Sequence, residues 1–124
     1  MKIRVYYEDT DAGGITYHSK YISFCERARS EIFFQQGLKP LEGDASGFVV
    51  RNLNADFLTT STLGDILEVK SKILQIKKSS LTLLQEIFKN EKKVFSMEIL
   101  LVYIEKNKPS RIPEKFIKVF DENL

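Results

Sequence analysis

The chain has 124 residues, of which 43% are hydrophobic and 29% charged, and its 19 Lys and Arg against 17 Asp and Glu leave a net charge of +2. This is the balance of a folded globular protein and excludes disordered and fibrous classes; with basic residues scattered among glutamates it also argues against a nucleic-acid partner. No run approaches the roughly 18 apolar residues of a membrane span, no signal-peptide core opens the chain, and the single Cys25 rules out an intramolecular disulfide framework, so a cytoplasmic address is expected.

Residues 1–124 are expected to form one domain, small enough that some apolar surface needs a partner subunit to cover it. Ile3 and Val5 alternate with Lys2 and Arg4, which predicts a short strand stopping at Glu8–Asp11. A polar, glycine-containing turn follows. From His18 to Gln36, Tyr21, Phe24, Cys25, Ala28 and Ile32 recur at three- and four-residue spacing, the pattern of an amphipathic helix of about five turns. Gly37 is placed to end it in a left-handed conformation, and Pro40 prevents continuation.

Beyond a polar loop ending near Gly47, extended segments are predicted at 48–58, 65–77, 80–90 and 93–106, with turn signals at Leu63–Asp65, Lys78–Ser80 and Asn90–Lys92. Short connections favour antiparallel neighbours. Lys70, Lys72, Lys77 and Lys78 read as a solvated strand face. In the last strand Phe95, Met97, Ile99, Leu101 and Tyr103 share one face while Val94, Leu100, Val102 and Ile104 enrich the other, so both faces should be covered. Ile112–Phe120 is expected to form a closing helix. Strand, long helix and a run of four strands is an α+β order in which one helix lies across a curved antiparallel sheet of about five strands. A sheet face or edge is left over as homo-oligomer surface.

Chemistry concentrates in Tyr6–His18, between the first strand and the helix. Carboxylates, adjacent glycines, tyrosines and the only histidine meet there. Taken singly each has a structural role: Asp9 caps a turn, Gly13 and Gly14 permit positive φ, and Tyr17 packs in the core. Together they precede a helix N-terminus, whose unpaired N–H groups and partial positive charge can hold a developing oxyanion.

Competing chemistries fit less well. Asp9, Asp11 and Gly14 imitate the opening of a calcium loop, but its ninth and twelfth positions are Tyr17 and Lys20, and a lone histidine does not make a zinc site, so no metal is expected. Cys25 lies on the apolar side of the helix and reads as core, which weakens a cysteine triad, and Gly13-Gly14 is too short for a phosphate or dinucleotide loop.

Tyr7-Glu8-Asp9-Thr10-Asp11, Gly14, Tyr17-His18, Tyr21 and Glu26-Arg27-Ala28-Arg29 resemble the signature of YbgC-like acyl-CoA thioesterases, which belong with the 4-hydroxybenzoyl-CoA thioesterases in the hotdog superfamily. The match is dense from Tyr6 to Arg29, and Leu63-Gly64-Asp65 before a long strand fits the same pattern. The resemblance implies a hotdog fold and hydrolysis of acyl-CoA, with Asp11 as the catalytic aspartate and the backbone amide near His18 polarising the thioester carbonyl. The side chains of His18 and Tyr7 are further catalytic candidates, and Gly14, Tyr17 and Phe57 are candidates for substrate binding, with Phe48, Leu53 and Leu58 as other apolar pocket residues.

Asp11 would act either as nucleophile or as general base on water, without a cofactor, since coenzyme A is part of the substrate and its thiolate leaves readily. Glu26 reads as structural, and Arg27 and Arg29 as surface or interface residues. The implied partners are acyl-CoA, acyl carrier protein and further copies of the chain, as a homodimer or homotetramer with the Asp11 loop near the other subunit. The other function weighed is an acyl-CoA or acyl-carrier-protein binding or scaffolding protein of the envelope or phospholipid-synthesis machinery. A hotdog dehydratase or isomerase is third, weakened because His18 sits in thioesterase-like surroundings.

Overall fold

The computed structural model describes residues 1–43 and 45–123. Strand β1 (Lys2–Arg4) leads through a 3-10 turn at Tyr7–Asp9 and a loop into helix α1 (His18–Gln35); strands β2 (Ser46–Phe57), β3 (Ile66–Ile76), β4 (Ser80–Lys89) and β5 (Lys92–Glu105), the two-residue β6 (Lys108–Pro109) and helix α2 (Glu114–Asn123) follow. All pairings are antiparallel, in the order β1-β3-β4-β5-β2, with β6 added to β5. The sheet curls against the long helix, the α+β hotdog arrangement that the family resemblance implies. The predicted five strands are all present, and β6 is a short hairpin extension that the sequence pattern does not signal.

Helix α1 ends where the sequence says: Gly37 has φ +72° and donates its N–H to Phe34, a conformation nearly free of cost only for glycine. Its inner face is Tyr21, Phe24, Cys25 and Ala28, but the stripe continues through Phe33 and leaves Ile32 half-buried. Phe33 is drawn inward because α2 lies beside it, with Phe116 and Phe120 at 5.3 and 5.2 Å between ring centres. Each such fully buried aromatic side chain contributes about 1.5–3 kcal/mol. Helix α2 begins at Glu114, two residues after the expected Ile112, since the Pro113 carbonyl accepts the first helical N–H groups from Phe116 and Ile117.

On the helix side of the sheet Phe95, Met97, Ile99, Leu101 and Tyr103 are buried as expected. The opposite face departs from expectation: Leu100, Val102 and Ile104 are only half-covered within one chain. Val94 is buried there because the chain leaving β2 folds over it, Leu58 and Thr59 both donating to its carbonyl. Strand β2 is the outer strand. Its register places Val50, Leu53 and Phe57 opposite the buried Leu101, Ile99 and Phe95, yet they are 49%, 38% and 49% exposed, because β2 is the last strand of the sheet and α1 covers it only in part, at Phe48 and Phe57. Among the described residues no helix is long and apolar enough to cross a membrane.

Candidate active site

The loop carrying Asp11 is built from turns. Asp9 is buried and its Oδ2 accepts the Tyr6 N–H at 2.9 Å, the turn-capping role expected of it, while Lys20 approaches its other oxygen at 3.7 Å. The 3-10 turn ends the strand-like stretch earlier than predicted, before Asp11. The Asp11 N–H then donates to Ile15 at 2.9 Å and the Gly14 N–H to Asp11 at 3.0 Å, closing the loop around Ala12 and Gly13. Gly14 takes φ +83°, as the sequence requires, whereas Gly13 is not in the positive-φ region; an added Cβ there would stand 3.3 Å from Asp11 Oδ1, close enough that the carboxylate would have to give slightly.

Asp11 Oδ1 accepts the Gly13 N–H at 2.8 Å. Oδ2 meets no hydrogen-bond donor among the described residues. Tyr7, Thr10, Asp11, Ala12, Gly14 and Leu63 line one open surface pocket, so three of the predicted site residues, Tyr7, Asp11 and Gly14, share it. Tyr7 is 82% exposed and forms no hydrogen bond to Asp11.

The remaining candidates gather at the start of α1. Its N-cap is Tyr17 in an extended conformation, whose side chain caps nothing, and no acidic residue occupies the first turn. The His18 N–H therefore meets no acceptor among the described residues, and the helix end keeps its partial positive charge. Tyr17 is not core as the sequence suggested: it is half-exposed and its ring lies 4.4 Å from that of His18. The reason is its own backbone, whose N–H is tied to the Asp9 carbonyl at 2.8 Å, so the side chain points outward at the helix entry. Phe57 at the end of β2 meets His18 edge-on at 6.1 Å and packs on Tyr21 and Phe95. His18, Tyr17 and Phe57 thus form an aromatic cluster beside the helix end, with no hydrogen bond from the His18 side chain to Asp11.

One group differs from its sequence reading. Arg29, read as a surface or interface residue, is half-buried within the chain: its guanidinium donates to Gln85 Oε1 at 2.9 Å, and fully buried Gln85 donates in turn to the Cys25 carbonyl and Ser71 Oγ, each at 3.0 Å. Burial lowers the Arg29 pKa. Burial likewise pushes the Cys25 thiol up to about 12, so it stays protonated and is no nucleophile. Glu26 is exposed and accepts the Ser30 hydroxyl one turn on at 2.8 Å.

Ser61 carries no signal in the sequence, yet it is central to the site's framework. It is buried, its carbonyl accepts the Thr16 N–H at 2.8 Å, and its hydroxyl lies 2.6 Å from Thr16 Oγ1 and 2.8 Å from Tyr21 Oη. The turn after it is fixed by Asp65, whose carboxylate accepts the Thr62 N–H at 2.8 Å and pairs with Lys89 at 3.0 Å. The Thr62 hydrogen bond is the main cause holding the Asp65 carboxyl below its ordinary value.

A model of the thioesterase superfamily matches residues 13–96, which begin just after Asp11 and contain α1, β2, β3, β4 and the start of β5. Across the full chain the sequence is 40% identical to the acyl-CoA thioesterase YbgC of Helicobacter pylori, over 98% of that protein. It is 36% identical to the acyl-CoA thioester hydrolase YbgC of Escherichia coli over 97% of this chain and 93% of the relative. Among solved structures, a probable thioesterase from Bartonella henselae matches with a TM-score of 0.84 and 29% identity, covering 91% of this chain and 97% of that one.

Proposed function

The chain belongs to the thioesterase superfamily, and on that premise we propose that it hydrolyses acyl-CoA to the free acid and coenzyme A through Asp11 and the N–H of His18. Two observations support the site assignment: a carboxylate oxygen that meets no donor among the described residues, on a loop held by the Gly13 N–H, and, where that loop enters α1, a helix end whose first N–H meets no acceptor among them. In the general-base form Asp11 takes a proton from water as the water oxygen bonds to the thioester carbon. The carbonyl oxygen becomes an oxyanion that accepts the His18 N–H. Collapse breaks the carbon–sulfur bond, and the CoA thiolate takes up the proton.

In the nucleophilic form Asp11 itself bonds to the carbonyl carbon, CoA leaves, and water hydrolyses the resulting anhydride. Both forms need no cofactor, because a thiolate of reference pKa about 8.5 leaves without strong acid assistance. Tyr7 and Gly14 line the pocket that holds Asp11, and in this reading the acyl group is taken by Tyr17 and Phe57, whose rings adjoin His18.

The working unit in this reading is a homodimer or homotetramer. Val50, Leu53 and Phe57 face the helix layer uncovered, on an outer strand with unpaired backbone groups, and a second copy supplies both the missing strand and the missing apolar cover. Release of free thiol from a series of acyl-CoA esters of increasing chain length tests the activity and defines its range. Tight binding of the esters with no thiol release would make the protein a binding or scaffolding module.

A further inference from the structure

In the sheet order β2 and β3 stand on opposite sides of β4 and β5, so the connection between them must cross the end of the sheet. It does so directly beneath the N-terminal turn of α1. Ser61 lies at the middle of that crossing, 1% exposed, between Thr16 at 4% and Tyr21 at 3%.

The three hydroxyls form a directed chain. Tyr21 Oη to Ser61 Oγ is 2.8 Å, Ser61 Oγ to Thr16 Oγ1 is 2.6 Å, and Thr16 Oγ1 to the Ser61 carbonyl is 3.2 Å. Only one assignment of protons gives every hydroxyl an acceptor among these groups: Tyr21 donates to Ser61, Ser61 to Thr16, and Thr16 to the Ser61 carbonyl. Removing the middle member leaves the Tyr21 hydroxyl buried and unpaired.

The chain also joins the two halves of the site. Thr16 is paired to Thr10 and Ile15 to Thr62, so the arm that closes the Asp11 loop is held on the crossing segment by backbone bridges. Tyr21 is one turn beyond His18 on α1. Ser61 is thus the side chain that ties the loop of Asp11 to the helix turn of His18.

We propose that Ser61 is a positioning residue for hydrolysis, fixing the Asp11 loop against the N-terminal turn of α1 through Thr16 and Tyr21. This rests on the assignment of Asp11 and the His18 N–H. Hydrolysis requires attacker and oxyanion donor to hold one mutual geometry, and small displacements from it are costly in rate. An interaction that fixes this geometry acts on the chemical step, so its loss is read in kcat.

The test compares Ser61→Ala, Tyr21→Phe, the double variant and Ser61→Thr with the unmodified enzyme, measuring kcat and KM on one acyl-CoA at a temperature where circular dichroism shows each folded. Both single variants are expected to lose at least about tenfold in kcat with KM within about twofold. The double variant should lose no more than the worse single one, and Ser61→Thr should recover most of kcat. Should Ser61→Ala not fold, Tyr21→Phe, which keeps the ring packing, decides the question by the same criteria. A kcat within about twofold of unmodified enzyme, a loss confined to KM, or effects that multiply in the double variant would overturn the proposal. Asp11→Asn serves as reference: an inactive Asp11→Asn beside a fully active Ser61→Ala removes the role of Ser61 alone, whereas an active Asp11→Asn removes the reading beneath it.

Discussion

The Gly13 N–H donates to Asp11 Oδ1 at 2.8 Å, which ties one carboxylate oxygen to its own loop and leaves Oδ2 without a donor among the described residues. A Cβ at position 13 would meet Oδ1 at 3.3 Å, a tight contact that a shift of the carboxylate by a few tenths of an ångström relieves. Gly13→Ala is expected to fold normally, its φ being allowed, and to lose several-fold to about tenfold in kcat as the carboxylate shifts. Steady-state kinetics beside an unchanged melting curve checks this; wild-type kcat would show that the carboxylate has room to spare.

Two substitutions at one position separate amide from side chain at His18. His18→Ala keeps the backbone N–H and should retain most activity. His18→Pro deletes that N–H at the first helical position, where proline is tolerated, and the preceding Tyr17 already has φ −66° and ψ 137°, a conformation compatible with a following proline. A loss of about a hundredfold is expected for His18→Pro, the usual scale for removing an oxyanion donor. Equal losses in both variants would move the role to the imidazole.

Assembly is the next expectation. Light scattering at low protein concentration should give a mass of at least two chains of 14.3 kDa each, and activity should fall on dilution together with that mass. Leu53→Glu, placing a charge in the uncovered stripe of β2, should weaken association and activity together. A stable and fully active monomer contradicts this expectation.

Asp65 supplies a pH-dependent contribution to stability. Its folded pKa lies below the ordinary value, first because of the Thr62 N–H and then through Lys89, so its stabilisation is full above the unfolded value and is lost as pH falls through the folded one. Urea unfolding should therefore show Asp65→Asn less stable than the unmodified chain at pH 7, with the gap closing below about pH 4. A gap of constant size in acid would mean that the carboxylate's charge is not what holds the turn.

Much of the fold is legible in the sequence. Helix α1 is readable because periodicity, Gly37 and Pro40 agree, and the strands because alternation is broken by turn residues. The Asp9 cap and the conformation of Gly14 follow from local chemistry alone. Ser61 is not readable: it lies in a short threonine-rich connection without periodicity, and its partner Tyr21 is 40 residues away, brought near only by the crossing of the sheet. Arg29 misleads for the same reason, since Gln85, 56 residues on, is what draws it inward. The covering of Leu100, Val102 and Ile104 is legible as a need, which one chain does not meet.

The most direct measurement is thiol release from acyl-CoA by Asp11→Asn against the unmodified enzyme. The amide is nearly isosteric with the carboxylate, so fold and assembly should be retained while base and nucleophile are both lost. Hydrolysis is expected to fall by at least about a hundredfold, with an unchanged circular dichroism spectrum and mass. Hydrolysis at the unmodified rate by a folded Asp11→Asn would contradict the role given to Asp11.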